Sequence, residues 1–312
     1  MLGADPAAVA MAADILRAGG LVAFPTETVF GLGADATSDA AVAKIYAAKG
    51  RPAFNPLIAH VATRRAAEQQ GIFSPQAVKL ADVFWPGPLT LVLPLAAGAS
   101  VCDLARAGLG SVALRIPSHP VAQQLLAVLG RPLAAPSANP SGRVSAVTAA
   151  HVREDFDGRI DAIIDGGVEV GVESTIVGCL TDDPVLLRPG GIPREAIEAV
   201  LGIKLGETAP GAAVNAPGML AAHYAPRARL RLDALNLEPD EAGLDFGGRF
   251  APGSKVLDLS PRGDLTEAAA HLFAYLRRLD ETHSKIAVAP IPSEGLGEAI
   301  SDRLRRAAVG AG

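Results

Sequence analysis

The order of strand-like and helix-like segments is the feature that most constrains the fold of this chain. Eight short apolar or β-branched runs are typical of strands, at residues 21–30, 56–61, 89–95, 111–117, 132–138, 162–167, 174–180 and 184–190. Helical patterns lie among them at residues 6–18, 39–48, 74–84, 118–129, 147–155 and 193–201. Because some strands follow each other without a helix, this order predicts a twisted, mixed, open α/β sheet.

A change of composition after residue 204 divides the chain. Residues 205–228, "LGETAPGAAVNAPGMLAAHYAPRA", contain three prolines and three glycines, which predicts an extended linker. Residues 229–312 have a strand-helix-strand order with an amphipathic helix at 264–280, which predicts a small Rossmann-like α/β domain. Residues 1–204 form the first domain in this interpretation. Two domains suit a length of 312 residues, which exceeds the usual size of one domain.

Composition excludes several classes of protein. The chain is 49% hydrophobic and 20% charged, with no apolar run that approaches the roughly 18 residues of a membrane span. Cys102 and Cys179 lie far apart without a CxxC pattern, so we expect neither a zinc site nor a disulfide framework, and we predict a cytoplasmic protein without a membrane partner. A net charge of −5 without a basic tail does not indicate bulk affinity for nucleic acid.

The segment "KGRPAFNPLIAH", residues 49–60, places two cations in an irregular loop. Pro52 and Pro56 keep the chain out of regular helix after Lys49 and Arg51. One interpretation is a helix C-terminus, where backbone dipoles attract cations. The other is an anion site, because arginine offers forked donors to phosphate or carboxylate and lysine offers a compact charge.

Small, polar or cationic residues also follow the apolar runs of several other predicted strands. They are Thr26, Glu27, Thr28, Arg115, Ser137, Asn139, Ser141, Arg143, Ser145, Glu173, Ser174, Thr175 and Arg188. Taken singly, each fits a turn or a solvated surface, and His60 fits a packed core histidine. Ligands of open α/β sheets bind at strand ends, so the whole set favours one pocket for a nucleotide and a carboxylate.

Common catalytic motifs are absent from the sequence. It contains no GxxxxGK[ST] phosphate loop, no GxSxG nucleophile elbow and no HExxH metal motif. "GLGADA", residues 31–36, matches GxGxxA, but Pro25 interrupts the strand before it, and Lys49 and Arg51 stand where a ribose-binding acid is expected. The lack of a protein nucleophile suits a site that positions substrates and neutralises phosphate charge.

Seven ordered motifs carry a resemblance to a known family. "PTETVFGLG", "KGRPAFNPLIAH", "WPGPLTLVL", "LRIPSHP", "APSANPSG", "GVESTIVG" and "LLRPGGI" resemble the threonylcarbamoyl-AMP synthases, the YrdC-like enzymes. The "APGMLAAHYAP" linker and the small second domain resemble the longer, two-domain form of that family. The resemblance implies that ATP, L-threonine and bicarbonate or CO2 condense to threonylcarbamoyl-AMP and pyrophosphate. A partner complex would then transfer the threonylcarbamoyl group to adenosine 37 of tRNAs.

The resemblance also implies roles for individual residues. The ATP-binding residues would be Lys49, Arg51, Asn55, Ser111, Ser137, Asn139, Ser145, Arg188 and Tyr224, with Lys49 and Arg51 as the catalytic pair. The L-threonine site would contain Thr28, His60, Arg115, Ser174 and the backbone near Ala135. Mg2+ would be held mainly by phosphate oxygens, without side-chain ligands. Tyr224, in the linker, would close over the nucleotide.

Two other functions are compatible with parts of the sequence. A concave cationic surface could bind double-stranded RNA, although the acidic net charge and the lack of interleaved aromatic residues argue against it. A regulatory or ribosome-associated protein with a vestigial pocket is the other alternative. Lys49, Arg51, Ser137 and Asn139 are all present, which favours a working pocket.

Overall fold

Two β-sheets organise the protein, described here by a computed structural model that covers residues 1–207 and 223–310. The helices of these residues are α1 (Pro6–Arg17), α2 (Asp39–Lys49), α3 (Arg64–Glu68), α4 (Pro75–Phe84), α5 (Pro120–Leu129), α6 (Ala149–Phe156), α7 (Arg194–Leu201), α8 (Leu265–Asp280) and α9 (Leu296–Gly310). The strands of the large sheet are β1 (Val22–Phe24), β2 (Gly31–Asp35), β3 (Ile58–His60), β4 (Leu89–Pro94), β5 (Ser111–Arg115), β6 (Leu133–Ala134), β7 (Ala162–Ile163), β8 (Thr175–Gly178), β9 (Val185–Arg188) and β10 (Gly206–Glu207). The strands of the small sheet are β11 (Arg229–Arg231), β12 (Ala242–Asp245), β13 (Val256–Asp258) and β14 (Lys285–Val288).

The large sheet is mixed, as its strand order in the sequence predicts. The spatial order is β10-β9-β8-β4-β5-β3-β6-β2-β1-β7, with parallel pairs such as β3–β5 and antiparallel pairs such as β8–β9. The small sheet has the order β11-β14-β12-β13, and all its pairs are parallel. A mixed open sheet with a second, smaller α/β unit confirms the predicted fold class.

One predicted strand, residues 21–30, was wrong as a single element. β1 ends at Phe24, because Pro25 has no N–H with which to continue the ladder. The chain returns to the sheet at Gly31, which pairs with Phe24 in an antiparallel register. The intervening loop is fully buried, so it carries its polar residues into the interior. The GxGxxA match lies largely in strand β2 and not in a strand-to-helix turn.

Helix α2 delivers a lysine to the interior. Its N-terminus is capped by the Ser38 side chain, which accepts a hydrogen bond from the Ala41 N–H. The helix ends at Gly50, which adopts φ 61°, a left-handed conformation that glycine reaches without strain. Lys49 is therefore the last helical residue, and it is buried although most lysines are solvent-exposed.

The first unit is built on the large sheet, and the small unit is built on the small sheet with α8 and α9. The two units share a hydrophobic contact. Val29, Val144 and Val172 of the first unit belong to the same buried cluster as Ala269 and Phe273 of α8. The predicted domain limits at residues 204 and 228 stay a prediction, and most of the predicted linker, residues 208–222, lies outside the described residues. None of the helices in the described ranges has the length and hydrophobicity needed to cross a membrane.

The backbone after β9 approaches the start of β8 so closely that only glycine fits. A Cβ on Gly190 would lie 2.4 Å from the backbone of Glu173, Ser174 and Thr175. We expect Gly190→Ala to lower the free energy of unfolding by about 1–3 kcal/mol, because the two segments must move apart. Gly110→Ala is the matched control, since a Cβ there meets nothing within 4 Å. Urea denaturation should leave this control within about 1 kcal/mol of the unsubstituted protein, and equal effects of the two substitutions would contradict the close approach.

Candidate active site

The predicted strand-end residues converge on one buried pocket. Nine of the residues predicted to bind a substrate line it: Thr28, Arg51, His60, Arg115, Ala135, Ser137, Ser174, Arg188 and Tyr224. Glu173 and His223 line it as well. The structure therefore brings together most of the predicted set, while the ligand that each residue contacts stays a prediction.

Strand direction explains why these residues meet. His60 ends β3 and Arg115 ends β5, and they are register partners because the two strands run parallel. Ser174 precedes β8 and Arg188 ends β9, and they meet because these strands are antiparallel. Ala135 follows directly after β6, which pairs with β3. The pocket is thus fixed by sheet topology.

Three buried cations, Arg51 and Arg188 in the pocket lining and Lys49 next to it, have no ion-pair partner among the described residues. Lys49 is 4% exposed, Arg51 8% and Arg188 5%. Within the described ranges, none of the three has a carboxylate oxygen within 4 Å; their hydrogen bonds go to uncharged oxygen atoms. Removing a charge from water costs several kcal/mol unless a partner offsets the loss. The arrangement therefore favours an anionic ligand.

Backbone carbonyl groups accept hydrogen bonds from Lys49 and from Arg188. The Lys49 ammonium donates to the carbonyl oxygen of Ser137 at 2.6 Å and to that of Asn139. Arg188 donates through Nε and one amino group to the carbonyl oxygen of Ser174, at 3.2 and 2.8 Å. Carbonyl oxygens orient a cation without neutralising it, so the positive charge is retained.

Arg51 and Tyr46 fix the loop that follows α2. The Arg51 Nε and the Tyr46 hydroxyl both donate to the carbonyl oxygen of Asn55, at 3.2 and 3.1 Å. A second Arg51 nitrogen donates to the carbonyl oxygen of Pro56 at 2.9 Å. The loop is thereby folded around its own arginine. This geometry supports the anion-site interpretation of "KGRPAFNP" over a solvated helix terminus.

The electrostatic environment of the pocket disfavours added positive charge. Burial, and after it the neighbouring Arg51, lowers the pKa of Lys49 well below its ordinary value. Burial lowers the pKa of Arg51 to about 10. It also lowers the pKa of His60 and of His223 to about 3, so both imidazoles are neutral near pH 7. An anion in the pocket would reverse these shifts for the cations.

Arg115 differs from the other cations because it has a carboxylate partner. One of its amino groups donates to Glu27 at 2.6 Å and to the Thr28 hydroxyl at 3.0 Å, and its Nε donates to the carbonyl oxygen of Gly87 at 3.3 Å. Glu27 and Arg115 are 2% and 3% exposed. Burial raises the pKa of Glu27, but Arg115 outweighs that effect and the pKa is lowered overall. Glu27 thus fixes the orientation of the guanidinium.

Several buried polar atoms around the pocket lack a hydrogen-bond partner among the described residues. They are Glu27 Oε2, both amide atoms of Asn55, His60 Nδ1, Asn139 Oδ1 and His223 Nδ1. An unsatisfied buried polar group costs about 1–3 kcal/mol, so groups of this kind are rare and call for an explanation. Their concentration around one pocket indicates groups that a polar ligand would satisfy.

Five of the predicted site residues do not line the pocket itself: Lys49, Asn55, Ser111, Asn139 and Ser145. Ser145 lies behind the lining and donates to Glu173 Oε1 at 2.6 Å. Ser111 begins β5 whereas Arg115 ends it, so about 13 Å of extended strand separates the two residues. Strand geometry therefore sets Ser111 at the opposite end of β5 from the threonine side of the pocket.

Sequence reasoning missed Arg303. This arginine of α9 donates to Glu173 Oε2 at 2.8 Å from the small unit. No local pattern distinguishes it from Arg305 and Arg306 on the same helix. Glu173 lies in the quoted "GVESTIVG" motif, but no role was assigned to it there. A tertiary contact between units leaves no signal in a single sequence.

Comparison with known families covers nearly the whole chain. A family model described as "Telomere recombination" matches residues 14–190. A second model, described as the C-terminal domain of threonylcarbamoyl-AMP synthase, matches residues 192–309.

Individual relatives match over similar lengths. The threonylcarbamoyl-AMP synthase of Pyrococcus abyssi is 43% identical over 319 residues, which cover 96% of this chain and 93% of the relative. That of Bacillus subtilis is 44% identical over 324 residues, covering 97% and 93%. The crystal structure of P. abyssi Sua5 complexed with L-threonine matches with a TM-score of 0.90 and 41% identity, over 98% of this chain and 95% of that one.

The low pKa of His60 should make the free energy of unfolding depend on pH. Below about pH 6.5 the unfolded chain protonates this histidine while the folded protein does not, so the free energy of unfolding falls as the pH falls. With a folded pKa of about 3, the loss between pH 7 and pH 4.5 is about 2–3 kcal/mol from His60 alone. In urea titrations, His60→Gln should lose this part of the pH dependence. Parallel curves for the two proteins would contradict the buried, neutral imidazole.

Proposed function

The chain belongs to the threonylcarbamoyl-AMP synthase family, and we propose that its reaction takes place in the cationic pocket at the strand ends of the large sheet. It is an L-threonylcarbamoyladenylate synthase and therefore a nucleotidyltransferase. The observation that carries the location is that Lys49, Arg51 and Arg188 are buried and, among residues 1–207 and 223–310, have only uncharged oxygen atoms as hydrogen-bond partners. A triphosphate supplies the missing negative charge.

The phosphates of ATP would lie against Lys49, Arg51 and Arg188. All three are held by neighbouring oxygen atoms, so their charges are fixed in place before ATP arrives. Charge that is oriented in advance needs no rearrangement as the reaction proceeds, which makes it effective in stabilising a transition state. Asn55, Ser137, Asn139 and Ser145 complete the proposed ATP site, and Ser111 belongs to it only by family resemblance.

L-Threonine would occupy the side of the pocket around Arg115. This guanidinium is held by Glu27, and it is the proposed partner of the substrate carboxylate. The relative from P. abyssi has been crystallised with L-threonine, which supports the same substrate for this chain. Thr28, Ser174 and the backbone at Ala135 would contact the rest of the amino acid, together with neutral His60. A site with such groups should favour threonine over an analogue that lacks the hydroxyl.

The chemistry needs little from the protein beyond position and charge. Bicarbonate loses hydroxide to give CO2, and the amine of threonine attacks the CO2 carbon. The amine proton then combines with the hydroxide to form water, which leaves the carbamate. A carbamate oxygen then attacks the α-phosphorus of ATP in line, and the bond to the leaving pyrophosphate breaks. Because the substrate supplies the nucleophile, no activated serine or cysteine is required. Lys49 and Arg51 are the proposed catalytic residues, since they would neutralise charge on the phosphates.

Mg2+ fits this site as part of the ATP substrate. The described residues hold no cluster of three histidine, cysteine or acidic side chains that could bind a metal. Mg2+ commonly keeps several water ligands and binds phosphate oxygens, with one or two carboxylates at most. When bound with ATP, the ion would add positive charge at the phosphates. Glu173, the carboxylate of the pocket lining, is already engaged by Ser145 and Arg303.

Tyr224 is the residue that we propose to cover the nucleotide. It is 1% exposed and lines the pocket, and its backbone adopts φ 63°, a conformation that costs a non-glycine residue about 1 kcal/mol or more. Its ring stacks on Phe273 of α8 at 5.6 Å between centroids. Packing against the small unit therefore holds Tyr224 over the pocket. This arrangement supports exclusion of water from a labile product.

The product is proposed to serve tRNA modification. Threonylcarbamoyl-AMP is an activated carbamoyl donor, so a second enzyme must pass its threonylcarbamoyl group to an acceptor. The family resemblance names that acceptor as adenosine 37 of tRNA and the second enzyme as a transferase complex. Weak direct binding of RNA stays a separate prediction.

Removal of one phosphate-binding charge tests the proposed site. Pyrophosphate release is measured with ATP, Mg2+, bicarbonate and threonine, and omission of threonine should abolish it. We expect Lys49→Ala or Arg51→Ala to reduce the rate roughly 100-fold or more, because one fixed charge contact is lost. Circular dichroism establishes that each variant is folded.

Lys44→Ala is the matched control, because Lys44 lies on the same helix but is exposed. Its rate should stay within about twofold of the unsubstituted enzyme, as is usual for surface substitutions. A folded Lys49→Ala variant with full activity would refute the assignment of the phosphates to this pocket. Release that does not depend on threonine would refute the proposed substrate.

A further inference from the structure

Arg303 is a fully buried arginine of the small unit that reaches the pocket of the large one. It is 0% exposed, and its Nε donates to Glu173 Oε2 at 2.8 Å. Its NH1 group donates to the carbonyl oxygen of Pro189 at 2.8 Å and to Asp302 at 2.9 Å. Arg303 therefore joins α9 to the loops that flank β8 and β9.

Glu173 transmits this contact to the proposed ATP site. Its Oε2 accepts from Arg303, while its Oε1 accepts from the Ser145 hydroxyl at 2.6 Å. All three residues are buried. We propose that Arg303 is a positioning residue, through which the small unit holds Glu173 and the Ser145 hydroxyl in the geometry that ATP requires. This inference rests on the proposed function, because it takes Ser145 to be a nucleotide contact.

Arg303 also contacts the residue that covers the pocket. Its guanidinium carbon lies 5.2 Å from the centroid of the Tyr224 ring, within the range of a cation–π interaction. One side chain thus touches both a carboxylate in the pocket lining and the aromatic ring over it.

The charge of Arg303 is one of the factors that lower the pKa of Glu173. Burial raises the pKa of Glu173, but Arg303, Arg188 and the Ser145 hydroxyl outweigh burial, so the pKa lies below its ordinary value. The titratable or charged groups that face this pair are Arg188, His223, Tyr224 and Asp302. Without Arg303, Glu173 would take up a proton at higher pH, and Ser145 would lose a charged acceptor.

The test compares variants of the full chain in pyrophosphate release between about pH 6.5 and pH 9, a window in which an ordinary glutamate is ionised. Each rate is divided by that of the unsubstituted enzyme at the same pH, which removes the titration of the substrates. The variants are Arg303→Met, Arg303→Lys, Glu173→Gln and the double variant Arg303→Met/Glu173→Gln. Arg194→Met is the matched control, because it breaks another ion pair between the units, with Glu298 of α9, away from the pocket lining.

We expect Arg303→Met to lower kcat/KM roughly 10- to 100-fold at pH 7, a loss typical of residues that orient a ligand-binding group. The relative rate should recover toward pH 9 as Glu173 ionises, and Arg303→Lys should restore most of it. Glu173→Gln should lose activity equally at every pH. Adding Arg303→Met to Glu173→Gln should lower the activity little further, because both substitutions break the same contact between Arg303 and Glu173.

Arg303→Met with the activity and pH profile of Arg194→Met would overturn the inference, since Arg303 would then only fasten the units. If Arg303→Met does not fold, Glu173→Gln decides. A Glu173→Gln variant with at least several-fold lower activity at pH 7 supports the role, and one with full activity overturns it. An inactive unsubstituted enzyme would count against the proposed function alone, and the same ratios would then be taken from calorimetric ATP binding.

Discussion

Lys49, Arg51 and Arg188 are buried with no carboxylate partner in the part of the chain that the structure describes, and the rest of the site depends on this constraint. Each such charge costs several kcal/mol relative to water, and the protein limits this cost by aiming carbonyl oxygens at the cations. Those carbonyl groups belong to loops at strand ends, so the mixed sheet must be rigid to keep them in place. A ligand with several negative charges would offset the free-energy cost of burying the three positive charges.

The small unit contributes to the same pocket. Tyr224 lies over it with its ring against Phe273 of α8, and Arg303 of α9 binds Glu173 from behind. The two contacts are connected, since the Arg303 guanidinium lies 5.2 Å from the Tyr224 ring. The large sheet therefore positions the cations, α8 packs against the tyrosine of the segment before β11, and α9 supplies one anchoring charge.

The sequence predicted the order of the strands and helices better than it predicted the contacts between distant residues. The alternation of elements predicted the mixed sheet, because hydrophobic period and proline positions are local signals. The prediction was wrong at residues 21–30, where Pro25 ends the strand. The residues after it form a buried loop at the pocket instead of continuing the strand. To predict that His60 lies beside Arg115, one must know the register of β3 and β5. To predict the contact of Arg303 with Glu173, one must know how the two units pack. Such contacts are tertiary, so one sequence cannot locate them.

Proton uptake on ATP binding reports directly whether the phosphates lie against Lys49. Burial and Arg51 lower the pKa of Lys49, and bound phosphates should raise it again. Calorimetric titration of the protein with Mg-ATP between about pH 8 and pH 9.5, in buffers of different ionisation enthalpy, measures the protons taken up. The account predicts uptake of a sizeable fraction of one proton, absent in Lys49→Arg, whose guanidinium is already charged. A binding enthalpy that does not depend on the buffer would contradict the account.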